Sequence, residues 1–427
     1  MKYRILTLAL LYLLNLEVHG QETLSLEMCR QLAVENNAKV KIADNQVKSS
    51  QANAKAKTRD LYPSISADAG YKYLADPMSI DLEGEKFTGT EHLYDVGVLF
   101  SQNLYSGGRV QLNSENAKIE ESIAGNNLAL TTDALLFQTE LAYWKATWSK
   151  EVHNVTIQYK DLLDELVQVV SDKVETGLVP RNDLLMTEVK QNEAELLIHK
   201  SRTIHQISLM ELNRIVGYEI NQEITVESDA IYNDYSLPTM ETMDQVMIER
   251  PEVSIKKDMV SISENNISLV KSNYSPQISL NVKPVWGAPN TDLLDPDPIF
   301  NTAAFASISM PLIQWGKRHH EVNVQQFNYE SSLLELEDLQ DQISLEVSTA
   351  YYQLDESIAR ITLTEASLEK ARENVELIED RYLEGLSPII ELLDAQFSWL
   401  SAYNSVLESR LNYFTALAEY NRVTGNM

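Results

Sequence analysis

The chain has 427 residues with 35 basic and 63 acidic side chains, a formal net charge of −28, one cysteine, 14 glycines and 12 prolines. That charge speaks against a nucleic-acid partner, and a single cysteine excludes a disulfide framework and a cysteine-based zinc site. So little turn-forming punctuation calls for long elements rather than two or three ordinary domains.

Residues 1–20, "MKYRILTLALLYLLNLEVHG", place Lys2 and Arg4 before an apolar run from Ile5 to Leu16 and end in Val18, His19 and Gly20. This is the pattern of a secretory signal peptide with its cleavage site. Its removal takes away Lys2, Arg4 and Glu17, leaving the remainder one charge more acidic. No later stretch reaches about 18 consecutive apolar residues, so the exported chain has no membrane-spanning helix and can enter a membrane only with strands.

From Leu24 to Asp60, apolar residues recur at helical spacing among Ala, Lys, Gln and Asn, predicting a helix over 24–60 that Pro63 ends. Cys29 lies in "LSLEMCRQL", where Glu27 and Met28 occupy the places a lipoprotein cleavage site gives to small residues, so it reads as a half-buried helix residue. Strict alternation follows: Ile65, Ala67, Ala69, Tyr71 and Tyr73 against Ser64, Ser66, Asp68 and Lys72. Strands are predicted over 63–74 and 93–104, separated by a loop rich in Pro, Asp and Gly. A long helix over 107–172, a turn at 175–181 and a helix over 182–216 complete this part, and 218–238 reads as a linker.

The chain then repeats itself. A shift of 208 residues sets Gly177, Leu178 and Pro180 on Gly385, Leu386 and Pro388, "NRIVG" at 213 on "NRVTG" at 421, and "NLYSGGR" on "PLIQWGK". Upstream the shift is 213, aligning "LYPSISADAGY" at 61 with "YSPQISLNVKP" at 274, so the second copy is five residues shorter in a loop. The repeat predicts a helix over 239–273, strands over 276–285 and 301–312, a long helix over 316–381, a turn at 384–388 and a helix over 389–424. Each long helix of about 64 residues would extend about 95 Å. Leu333, Leu336, Leu339, Ile343, Val347, Ala350, Leu354, Ile358 and Ile361 step at a mean of 3.5, the coiled-coil period.

Four strands of about ten residues suit an outer-membrane barrel, and they suit a soluble antiparallel sheet equally well. If they enter lipid, two open edges cannot be tolerated, so several chains must pool their strands. Even strand numbers allow two chains, and three would give twelve strands around a water-filled interior.

The doubled helix-to-strand passages, "NLYSGGR", "GLVPRNDLLMTEVKQNEAE" and "GLSPIIELLDAQFSWLSAYNS" with its "LLDAQ" resemble the outer membrane efflux protein family, the TolC-like exit ducts of Gram-negative tripartite pumps and type I secretion systems. The resemblance covers nearly the whole chain after residue 20. It implies a mainly α fold with a transmembrane β-barrel part, a homotrimer with a twelve-stranded barrel in outer-membrane lipid, and long coiled-coil helices forming a periplasmic α-barrel. It also implies a belt formed by 218–238 and the chain end after Gly425. The expected partners are a periplasmic adaptor and an inner-membrane transporter of RND, ABC or MFS type, with no cofactor and no enzymatic role for the chain itself.

The two breaks, Gly177, Leu178 and Pro180 and their copies Gly385, Leu386 and Pro388, then correspond to the turns at the periplasmic tip, where partners are met. The resemblance assigns Asp183, Tyr382, Glu391 and Asp394 to the gate there, Glu391 and Asp394 as an acidic ring of six carboxylates in a trimer. Read without it, these two are solvated acids favoured by a helix N-terminus. Asp183 and Tyr382 match latch positions, but the arginine that completes that latch is Ser387 in this chain.

The remaining side chains carry no traceable chemistry. His319 and His320 sit beside Glu321, but neighbours on a helix point about 100° apart. The glycine clusters lack the P-loop pattern, and no Ser/His/Asp or Cys/His arrangement emerges. Trp144, Trp148, Trp315 and Trp399 read as packing residues or membrane-surface anchors. A periplasmic coiled-coil scaffold without a pore is the competing reading.

Overall fold

The computed structural model describes residues 22–77, 79–82, 84–227, 229–232, 235–288 and 297–427, so the expected signal segment lies outside the described residues. In chain order the elements are β1 (Glu22–Leu24), α1 (Leu26–Asn36), α2 (Ala38–Arg59), β2 (Ser64–Tyr73), β3 (Ser79–Leu82), β4 (Glu85–Thr88), β5 (His92–Tyr105), α3 (Arg109–Glu175) and α4 (Arg181–Val216). There follow β6 (Ile224–Val226), a 3-10 turn (Asp229–Tyr232), α5 (Met243–Glu249), α6 (Pro251–Ser272), β7 (Gln277–Ala288), β8 (Ile299–Ser309), α7 (Lys317–Leu383) and α8 (Ile389–Thr424). The chain forms two compact units, one of residues up to 41, 129–250 and 342–427, the other of 42–128 and 251–341.

The second unit carries a four-stranded antiparallel sheet in the order β2-β5-β7-β8. Its register makes the two faces different, because paired residues share a face and successive residues alternate. Ile65 opposes Phe100, Val96 opposes Trp286, and Trp286 opposes Phe300, so one face is apolar from edge to edge. The other is mixed, carrying Ser66, Asp68, Gly97, Asn281, Lys283 and Ser307 together with Leu99, Val285 and Phe305. Neither β2 nor β8 has a second neighbour among the described residues, and both are exposed along nearly their whole length.

Several expectations need correction. The region between the first two strands, expected to be a loop, contains the hairpin β3–β4; Gly84 turns it at φ +92° and donates its N–H to Asp81 Oδ1 at 3.1 Å. Its two short strands are hidden by loop-type composition. The strand expected over 301–312 stops at Ser309, just ahead of Pro311, which has no N–H to extend the ladder. Leu312, Ile313 and Trp315 then stand 83%, 74% and 95% exposed.

In the first unit the helix expected over 24–60 starts later, at Leu26, because Ser25 Oγ accepts the Met28 N–H, and it breaks at Asn37. The second copy, expected over 239–273, starts at Met243 and breaks at Arg250, which Pro251 forces into extended backbone at ψ 115°. The two breaks do the same job. Asn37 Nδ2 donates to Ile215 O at 3.4 Å and Arg250 Nη1 donates to Val423 O at 2.8 Å, so each break caps the end of the returning helix in its own repeat. Gly217 and Gly425, both at positive φ, let the chain pass: a Cβ on either would lie 2.4 Å from Asn36 Cβ or 2.9 Å from Glu249 Cβ. The linker contributes β6, which pairs in parallel with β1.

Cys29, expected half-buried, is fully buried, and burial pushes its thiol up to about 12. Of the period-3.5 series on α7, Ile343, Val347, Ala350, Leu354 and Ile361 are buried, whereas Leu333 is 42% exposed. The main apolar cluster joins Val155, Tyr159, Leu163, Leu166 and Val170 of α3 to Leu392, Leu393, Leu400 and Leu407 of α8.

Candidate functional site

The two Gly-Leu-x-Pro breaks form the same backbone structure. At the end of α3 the Gly177 N–H bonds Val174 O at 3.0 Å and the Leu178 N–H bonds Lys173 O at 2.8 Å; at the end of α7 the Gly385 N–H bonds Tyr382 O at 3.1 Å and the Leu386 N–H bonds Arg381 O at 2.7 Å. Gly177 at φ +74° and Gly385 at φ +77° supply the left-handed residue that such a helix end requires. Pro180 and Pro388, with ψ 151° and 154°, then enter the next helix from extended backbone, and the N–H of Asp183 and of Glu391 turns back to each proline carbonyl. Leu178 and Leu386 stand 73% and 66% exposed at the two tips.

The turns lie together at one open cleft of about 520 Å³, lined by Lys173, Leu178, Asp183, Tyr382, Ser387 and Ile389 among others. Tyr382 is the pivot. It is 3% exposed within the α3–α8 apolar cluster, and its hydroxyl has no hydrogen-bond partner among the described residues. Burial, reinforced by the Asp183 carboxylate, raises its pKa above the ordinary tyrosine value.

Asp183 and Tyr382 therefore share the cleft without a hydrogen bond between them. What holds Tyr382 is Lys173, whose Nζ lies 4.2 Å from the ring centroid and donates to the Tyr382 carbonyl at 3.2 Å. Sequence reasoning missed this residue. Its signal was a basic side chain in the last helical turn, favoured by the helix dipole and matched by Arg381 in the second copy.

Ser387 does not reach across the cleft. Its hydroxyl, buried, donates to Glu391 in a short hydrogen bond inside its own turn. Glu391 and Asp394 are both exposed and, three residues apart, share a face of α8.

The other residues noted in the sequence are accounted for locally. His319 Nε2 meets Asn323 Nδ2 at 3.1 Å on its own helix, and no group of three or more His, Cys, Asp or Glu side chains converges among the described residues. Trp144 stacks on Phe414 with centroids 3.7 Å apart, Trp148 packs against the α3–α8 cluster, and Trp399 meets Tyr403 edge-on.

The sequence matches the family model described as "Outer membrane efflux protein" over residues 29–218 and 243–426. It is similar to the solvent efflux pump outer membrane protein SrpC of Pseudomonas putida, 19% identical over 92% of this chain and 83% of that one. It is also similar to the alkaline protease secretion protein AprF of Pseudomonas aeruginosa, 22% identical over 68% of this chain and 61% of the relative. Among solved structures, the open state of the Neisseria gonorrhoeae MtrE outer membrane channel superposes with a TM-score of 0.78 at 17% identity, covering 94% of this chain and 88% of that one.

Proposed function

Because this chain belongs to the outer membrane efflux protein family, we propose that it is the outer-membrane duct of a tripartite efflux or type I secretion system, carrying cargo passively from an inner-membrane transporter through a periplasmic adaptor to the outside. The observation that carries this reading is the sheet. It is apolar on one face, carries its charged side chains on the other, has no further strand at either edge among the described residues, and β5 runs almost directly into the 67-residue helix α3. In lipid, unpaired edge groups cost several kcal/mol each, so copies of the chain pool their strands; the family resemblance implies three, closing one twelve-stranded barrel with the apolar face outward and the more polar face lining water. Trp315, nearly fully exposed just before α7, anchors the periplasmic membrane surface.

The paired turns form the periplasmic tip. Asp183, Tyr382, Glu391 and Asp394 belong to its gate, the three copies of Glu391 and Asp394 ringing the axis, and Leu178 and Leu386 offer the apolar contact to the adaptor. Position 387 supplies no cation, so Lys173 takes over the holding of Tyr382 in the closed tip.

The test is fractionation followed by single-channel recording in planar bilayers, native protein against Glu391→Ala with Asp394→Ala. Extraction only by detergent, small cation-selective openings, and larger or less selective openings in the double variant are expected. Release with the soluble periplasm and absence of any channel would instead establish a scaffold.

A further inference from the structure

Away from the tip, the polar face of the sheet carries a charged cluster. Lys283, on β7, reaches over the intervening strand β5 to Asp68 on β2, with Nζ 2.9 Å from Oδ2. The residue it crosses is Gly97, which pairs with Asp68 on one side and Val285 on the other. A Cβ on Gly97 would lie 3.2 Å from Lys283 Cε and 3.1 Å from Val285 Cγ2, and Gly97 is the one buried residue of β5. Gly70 plays the same part for its partner Asp95, whose Oδ1 lies 2.7 Å from where a Cβ would be.

A glycine inside a strand gives up about 0.5–1 kcal/mol relative to alanine, and here two of them leave room for the charged side chains of the neighbouring strands. Lys72 shares this face of β2, four residues further along from Asp68. The cluster thus holds two carboxylates and two lysines, of which Lys283 bridges two strands and is bonded to Asp68 with Asp95 alongside, in a protein of strongly negative charge.

We propose that Asp68, Asp95 and Lys283 form an electrostatic filter in the barrel part of the conduit, in which Lys283 masks the two carboxylates from multivalent cations. The inference rests on the reading that the polar sheet face lines water. Three copies place three clusters around the bore, and without Lys283 the six carboxylates would outnumber the three copies of Lys72 two to one and form a net-negative, cation-binding ring, since converging like charges attract counter-ions strongly.

The experiment is block of single channels of the full-length, detergent-extracted protein by hexaamminecobalt(III) added on the side of the strand loops. Lys283→Met, which keeps the stem and loses the charge, should be blocked at about tenfold lower concentration than the native channel. Gly97→Val leaves every charge in place but occupies the path of the lysine stem, and should shift in the same direction. The exchange Asp68→Lys with Lys283→Asp restores a pair and should be blocked as the native channel is. Conducting Lys283→Met and Gly97→Val channels with native block would overturn the filter and leave the conduit standing. A native protein that forms no channel would remove the conduit, and the filter with it.

Discussion

The hairpin α3–α4 and the hairpin α7–α8 share one backbone plan, with 67-residue and 36-residue helices in both, yet they are packed with different chemistry. Across the 208-residue shift, Leu185 is 49% exposed and Leu393 is 1% exposed; the buried residues of α4 include Thr187, Ala194, Ser201 and Ser208, those of α8 Leu392, Leu400, Leu407 and Phe414. The shift also keeps two serines while exchanging their partners. Ser149 bonds His205 at 3.1 Å and His153 bonds Ser201 at 2.9 Å in the first hairpin; in the second Tyr413 and Ile361 stand in place of the histidines, Ser357 donates to Leu354 O at 2.6 Å and Ser409 accepts from Thr364 at 3.3 Å. Duplication conserves the turn and the helix lengths, because the backbone demands them. It leaves the faces free to specialise, so α8 buries large apolar residues against α3 along its length, while the buried positions of α4 are small or polar as far as Ser208 and apolar only at Leu212, Ile215 and Val216.

The largest effect that would test this contrast is at the leucine pair. Leu393→Ala should destabilise by about 2–5 kcal/mol, the usual range for an emptied core site, whereas Leu185→Ala should stay within about 0.5 kcal/mol. Equal losses in thermal unfolding would mean that another copy buries Leu185, and the asymmetry would then belong to the single chain only.

A second pair compares the two basic residues that end α3 and α7. Lys173→Met removes a cation over a ring and a bond to the Tyr382 carbonyl, together about 1–2 kcal/mol, and should raise the open fraction of single channels. Arg381→Met, at an exposed position, should leave gating near native. If the two variants gate alike, tip closure depends on net charge and Tyr382 is not held by Lys173.

The smallest expected effect separates the hairpins by pH. Burial, then Arg202, lowers the pKa of His153; burial, then His153 and Lys150, lowers that of His205. The folded chain thus binds these protons less readily than the unfolded chain. Their contribution to stability is complete above the ordinary histidine value of 6.5 and declines as pH falls through it. The midpoint of melting at pH 5.5 should fall below that at pH 7.5, and His153→Gln with His205→Gln should reduce the difference. An unchanged difference would place the acid sensitivity outside this hairpin.

Much of the architecture was legible because it is written in local rules. The doubled glycine and proline mark two helix ends whose left-handed residue and extended proline depend on a few neighbouring backbone groups. The alternation of Ile65 to Tyr73 marks a strand with unlike faces for the same reason. The breaks at Asn37 and Arg250 were less legible, since each is fixed by a carbonyl about 175 residues away, Ile215 or Val423. Lys173 escaped notice because its partner is distant too.

Local backbone preference and hydrophobic period therefore establish the repeat, the long helices, the strands and the turns from the residue order alone. Folding settles which copy of each duplicated position is buried, which cation holds Tyr382, and that Gly97 and Gly70 clear space for Lys283 and Asp95. Burial and long-range contact depend on what the rest of the chain brings alongside, and two segments with the same local pattern can meet different neighbours.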